Sequence, residues 1–172
     1  MASSAALPDD DPQARALVVF APLAGDAGAL RELAVCEAVA VHECAGADAF
    51  YAALDERALA VVVTEEGLAH CTLQALSARL RSQPAWSDLP LLVLANADSR
   101  DIDDGRFLRL QDIGNVILLT RPTTRLALVM ALRSALRARR LQFALRDQLA
   151  QLEGYAGRLE STVNERTRLL ER

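Results

Sequence analysis

The chain reads as a doubly wound α/β fold, in which a five-stranded parallel sheet is covered by helices on both faces and followed by a long carboxyl-terminal helix. Three observations predict it. Apolar runs of strand length alternate with longer segments whose apolar residues recur three and four apart, the helical spacing. The runs lack the apolar and polar alternation of a sheet with one wet face, so each strand must be buried on both sides. After Pro122 there is no further proline, so nothing interrupts the last helical segment.

Each element follows from its residues. "ALVVFAP" at 16–22 is the first strand, after which Asp26 is placed to cap a helix carrying Leu30, Leu33 and Ala34 on one face. "AVAVHEC" at 38–44 is the second, followed by a helix with Phe50 and Leu54 four apart. The third strand, within "ALAVVVTEEGL", runs from Leu59 to Val63 and ends in the polar cluster Thr64, Glu65 and Glu66. Those two acids are expected to be exposed in the loop leading to a helix with Leu73, Leu76 and Leu80, which stops ahead of Pro84. "LPLLVLAN" at 89–96 is the fourth strand, then an aspartate-rich loop and a short helix with Phe107, Leu110 and Ile113. "NVILLT" at 115–120 is the fifth, and Thr123 or Thr124 caps the long helix.

At 172 residues the chain has room for one core and an appendage. Three units are expected: a tail over 1–14, rich in Ser, Pro and Asp; a domain over 15–140; and a helix over 141–172 continuous with the domain's last helix. A net charge of −4 gives no general attraction to nucleic acid or to an anionic membrane. No apolar run has the length of a membrane span and the amino terminus lacks a signal-peptide pattern, so a cytoplasmic protein is expected. Cys36, Cys44 and Cys71 have no metal-site spacing and read as reduced, buried thiols; His42 and His70 have no acid or thiol array beside them. No phosphate-binding glycine loop and no Ser, His, Asp set is present, so neither an enzyme nor a cofactor is expected.

In a sheet of this kind ligands sit beyond the carboxyl ends of the strands, here just after Phe20, Val63, Leu94 and Leu119. At those ends, and in the "TRPT" of 120–123 after the fifth strand, the chain resembles the receiver domain of bacterial two-component response regulators. The resemblance covers about residues 15–140 and implies a flavodoxin-like fold of receiver type. It also shows where the chemistry of that family is missing. The acids that would hold Mg²⁺ after the first strand are replaced by Phe20 and Ala21, and the phosphoryl-accepting aspartate by Thr64, a neutral hydroxyl without an activating base. Ala95 stands for the switch Ser or Thr, Leu118 for the switch aromatic, and Arg121 for the lysine; Pro122 matches outright. These residues imply a degenerate, phosphorylation-incompetent site, a pseudo-receiver of the sort found at the amino terminus of sensor histidine kinases, with no metal.

Beyond Leu141 the apolar residues follow a seven-residue repeat. Leu149, Ala156, Val163 and Leu170 hold one position; Leu145, Leu152, Leu159 and then Arg166 hold the other. Such a helix outruns its domain, and its stripe is expected to pair with the same helix of a second chain as a parallel coiled coil, with Gly154 and Gly157 as a weak point. Arg133, Arg137, Arg139, Arg140 and Arg146 are spread around the helix and are expected to form a solvated face with carboxylate partners. The closing "VNERTRLLER" resembles linkers that precede sensor or kinase modules, so downstream modules of the same polypeptide are expected partners. The function implied is non-catalytic signalling and dimerisation in two-component signal transduction. Alternatives are a receiver phosphorylated through displaced acids, or the pseudo-receiver part of an RNA-binding antiterminator.

Overall fold

The computed structural model describes residues 15–98, 109–110 and 112–170; side chains are described as far as Leu159, apart from that of Ala24. The expected tail over 1–14, most of the aspartate-rich loop and Phe107 lie outside the described residues. In chain order the elements are β1 (Ala16–Phe20), α1 (Ala24–Cys36), β2 (Ala40–Glu43), α2 (Ala47–Ala53), β3 (Ala60–Thr64), α3 (Glu65–Ala69), α4 (Leu73–Arg81), β4 (Leu91–Asn96), β5 (Val116–Arg121) and α5 (Arg125–Leu170). The strands lie in the order β2-β1-β3-β4-β5, all parallel. This is the doubly wound sheet the sequence predicts.

Strands buried on both faces need two cores, and the alternation of side chains along each strand supplies them. Val18, Phe20, Val61, Val63, Leu91 and Val93 point to one side, where Phe50, Leu54, Leu68, Leu76 and Leu110 pack on them. Leu17, Val19, Ala60, Val62, Leu92 and Leu94 point to the other, against Leu30 and Leu33 of α1 and Leu132, Leu136 and Phe143 of α5. The packing of α5 on the domain thus continues beyond residue 140, to Phe143.

Three local expectations are corrected and a fourth is narrowed to one residue. Asp26 is not the cap of α1: Leu23 holds that position, without a side-chain cap bond, and Asp26 lies in the first turn. Glu65 and Glu66 are not in a loop but open the short helix α3. Cys36 is an exposed thiol, whereas Cys44 is half-buried and Cys71 buried; burial pushes the Cys44 thiol up to about 11. Of the two threonines before the last helix, Thr124 is the cap, its Oγ1 accepting from the Ala127 amide at 3.1 Å.

The largest departure is Arg139. It is fully buried rather than solvated, and its partners are not carboxylates. Its guanidinium donates to the carbonyls of Ala58 (2.9 Å) and Glu56 (2.9 Å), to Ser87 Oγ (2.7 Å) and to Gln142 Oε1 (2.8 Å). The Trp86 and Phe143 rings lie 5.2 and 4.8 Å from it, within cation–π range. Burial drives its pKa down to about 10, with Asp88 partly opposing that and the nearby Arg146 and Arg15 adding to it. A planar fork with several donors suits this position because it meets two main-chain carbonyls and two side-chain oxygens at once. Arg133 and Arg146 do find carboxylates, Glu37 and Asp147, on the exposed side of the helix.

Replacing Arg139 by Met leaves the Ala58 and Glu56 carbonyls without their buried donors and is expected to destabilise the domain by about 2–4 kcal/mol. Urea unfolding followed by circular dichroism and by fluorescence of Trp86, the single tryptophan, measures this; a loss under about 0.5 kcal/mol would contradict the anchoring role.

Candidate functional site

Parallel pairing brings the carboxyl ends of four strands to one rim. Phe20 lies beside Val63, Thr64 beside Leu94, Ala95 beside Thr120, and Asn96 beside Arg121. The sequence-predicted positions Phe20, Ala21, Thr64, Ala95, Arg121 and Pro122 therefore do gather there, with Leu118 one strand-turn back along β5. The Arg121–Pro122 peptide is cis.

The chemistry of the rim is set by one cation. Arg121 Nη1 donates to Asp26 Oδ2 at 2.5 Å, and Nη2 donates to both carboxylate oxygens of Glu66, at 2.6 and 2.7 Å. The arginine side chain is 17% exposed and the two acids 31%, so these ion pairs are only partly screened by water. Arg121 Nε is buried without a hydrogen-bond partner among the described residues. Two amide donors from β4 complete the arrangement: the Asn96 backbone N–H donates to Glu65 Oε2 at 2.7 Å, and Asn96 Nδ2 to Glu66 Oε1 at 3.3 Å. Burial alone would raise the Glu66 pKa, but hydrogen bonds from its own amide, Arg121, Asn96 and Thr64 outweigh it and hold the carboxyl below its ordinary range.

Thr64 is wholly buried, and its Oγ1 accepts from the Gly67 amide at 3.3 Å. It is the cap of α3, and the acids that follow it occupy the helix's first turn, where negative charge meets the free amides. Gly67 allows α3 to sit close on β1: a Cβ there would stand 2.6 Å from the Phe20 carbonyl oxygen. The sequence reading placed Glu65 and Glu66 in a loop because the apolar helical repeat begins only at Leu73. The pattern of Thr followed by two acids was the available signal for a helix start.

The place where a receiver would hold Mg²⁺ does not fit the ion. Phe20 is buried with its ring stacked 5.1 Å from Phe50, Ala21 has no side-chain oxygen to offer, Asp26 and Glu66 are paired with Arg121, and Glu65 accepts from the Asn96 amide. No group of three His, Cys, Asp or Glu among the described residues is arranged to hold a metal. His42 and His70 are both exposed. Of the predicted dimer positions, Leu145, Leu149, Leu152, Ala156 and Leu159 lie exposed along α5, and the Val163 and Leu170 side chains fall outside the described residues.

No protein-family model matches the chain, and no curated protein does. Solved structures do. A response regulator receiver domain protein from Clostridium thermocellum superposes with a TM-score of 0.58 at 14% identity, over 73% of this chain and 96% of that one. An adenylate cyclase structure from Rhodopirellula baltica gives 0.60 at 10%, over 80% and 98%. NtrX from Brucella abortus, in complex with ADP, gives 0.58 at 17%, over 78% of this chain and 29% of that one. At these identities the likeness is one of fold: the chain has the flavodoxin-like fold of response regulator receiver domains, extended by a long carboxyl-terminal helix.

Two outcomes test the rim. Gly67→Ala is expected to cost about 1–3 kcal/mol, because the clash is with a main-chain oxygen that cannot swing aside; urea unfolding against wild type measures it. Glu66→Gln is expected to lose about 1 kcal/mol at pH 7. Since the folded-state pKa of Glu66 lies below its unfolded value, near 4.5, its contribution is complete above that pH and fades as pH falls through the folded-state value. Unfolding curves of the two proteins should therefore converge in acid, and a gap that stays constant down to the acid limit would remove Glu66 ionisation as the cause.

Proposed function

We propose that the chain is a non-catalytic, phosphorylation-incompetent receiver-like module of two-component signalling, the amino-terminal regulatory part of a cytoplasmic sensor histidine kinase that dimerises through α5. The observation that carries this reading is the pairing of Arg121 with Asp26 and Glu66. In a receiver the cation after the fifth strand is the partner of an incoming phosphoryl group. Here a carboxylate from the chain itself already stands against it, held also by Asn96. Glu66 thus acts as a fixed anion, and the rim is held in one state without a transferable group.

Thr64 supports the same reading. A buried hydroxyl engaged in capping α3, whose one carboxylate neighbour, Glu66, is itself engaged by Arg121, is a poor nucleophile. The reading with displaced acids is weaker, because a carboxylate that must attack a phosphoryl donor would first have to leave Arg121, and the arginine would oppose the loss. Loss of chemistry with retention of fold leaves mechanical output, and α5 is the element that leaves the domain. At 1.5 Å per residue its 46 residues extend about 70 Å.

Incubating the full chain with acetyl phosphate and Mg²⁺, then weighing it intact, is expected to give no mass increase. An added phosphoryl group mapped by peptide digestion to Thr64, Asp26, Glu65 or Glu66 would overturn the proposal in favour of a working, displaced site.

A further inference from the structure

α5 has two unlike faces. Leu132, Leu136 and Phe143 turn to the sheet and are buried. Leu141 is nine residues from Leu132, which is two and a half turns, so it points away from the domain. It is exposed, and so are Leu126 and Met130 before it and Leu145, Leu152 and Leu159 after it. Between Leu126 and Leu159 eight large apolar side chains of this helix are 49–69% exposed. That is not the surface of an ordinary solvated helix.

The spacing shows that this stripe is longer than the seven-residue repeat. Carried back from Leu145, that repeat reaches Ala138 and Ala131, which are half-buried, Ala131 against the domain's core. Met130, Leu141 and Leu152 instead recur every eleven residues, about three full turns, so they stay in line along a nearly straight helix. The eleven-residue spacing carries the apolar stripe off the free part of α5 and onto the outer surface of the domain.

We propose that a second copy of this chain covers the whole stripe, so that the homodimer contact begins on the domain, at Leu126 and Met130, and continues without a break to Leu159. This rests on the reading of α5 as the dimerising helix and extends it. The area argues for it. At roughly 100 Å² for each exposed side chain, the eight residues offer about 800 Å² per chain, the size of a standard stable contact, whereas the five from Leu145 to Leu159 offer only about 500 Å². A second α5 presents a stripe of equal length and straightness, and a two-fold arrangement covers both at once. Ser134, Arg137 and Gln148 are the polar residues in line with the stripe; Ser134 is small, and Arg137 and Gln148 have stems long enough to take their head groups to its edge.

The test uses the full chain. Sedimentation equilibrium gives the dimer dissociation constant of wild type, of Leu126→Glu with Met130→Glu, and of Leu152→Glu with Leu159→Glu; thermal melting checks that each folds, and Leu126→Ser with Met130→Ser replaces the first pair if its melting temperature falls. Each pair is expected to weaken the dimer by at least about tenfold. If the pair at 126 and 130 leaves the constant within about twofold of wild type while the pair at 152 and 159 abolishes the dimer, the contact begins beyond the domain: this inference fails and the dimer reading stands. A wild type that is monomeric at about 100 μM defeats both.

Discussion

The structure depends on a guanidinium placed where the two halves of the fold meet. A parallel sheet covered on both faces has two separate cores, and helices on opposite sides do not touch. Arg121 ends β5, and from the carboxyl rim it reaches Asp26 of α1 on one side and Glu66 of α3 on the other. α1 belongs to the core that contains α5, and α3 contributes Leu68 to the opposite core. A single forked cation therefore ties both helical layers over the top of the sheet, which a lysine with one point charge would do less well. The geometry also removes the acids from any other use. Asp26 and Glu66 are both engaged by Arg121, one positive charge shared between two carboxylates.

A second arginine does comparable work at the other end. Arg139 binds the carbonyls of Glu56 and Ala58, just before β3, and Ser87, just before β4. Arg121 fastens the start of the β5–α5 connection to the carboxyl rim, and Arg139 fastens α5 to the amino ends of the central strands. Between them the helix is held in register along the sheet, and its outer face is left free over the same length. Burying a cation among neutral oxygens is costly, as its lowered pKa reflects, and the return is a helix whose orientation is fixed by directional bonds as well as by apolar contact.

The sheet was legible in the sequence because burial on both sides leaves a strong mark: continuous runs such as Ala60–Val63 and Leu91–Ala95 are what strands covered by helices on both faces require. The helices were legible where their apolar residues repeat, as at Phe50 and Leu54. The site was legible only by position. Resemblance located Thr64, Ala95 and Arg121 on the rim, but nothing local could reveal that Arg121 pairs with an acid 95 residues earlier in the chain. Arg139 was concealed differently. It sits in an arginine-rich stretch that suggests solvent, although its place three residues after Leu136 and four before Phe143 puts it on the buried face. Composition pointed outward and periodicity inward, and periodicity gave the correct answer.

These anchors give a physical route from the rim to the outer stripe of α5. Arg121 is separated from Leu126 only by Pro122, Thr123, the Thr124 cap and Arg125, the first residue of the helix, so a change in how the guanidinium is held acts at the point where the helix begins. Such a change cannot be absorbed by bending within the domain, because Leu132, Leu136 and Arg139 fix the next three turns to the sheet. It would appear as a small rotation or shift of the whole helix, and a long rigid element presents such a shift at its far end and along its exposed stripe together. A rim that holds its own anion gives that helix one resting position. On the proposed signalling role, an input at the rim would have to compete with the Asp26 and Glu66 pairs, and its effect would be limited by the difference in free energy it makes between the held and the released arginine.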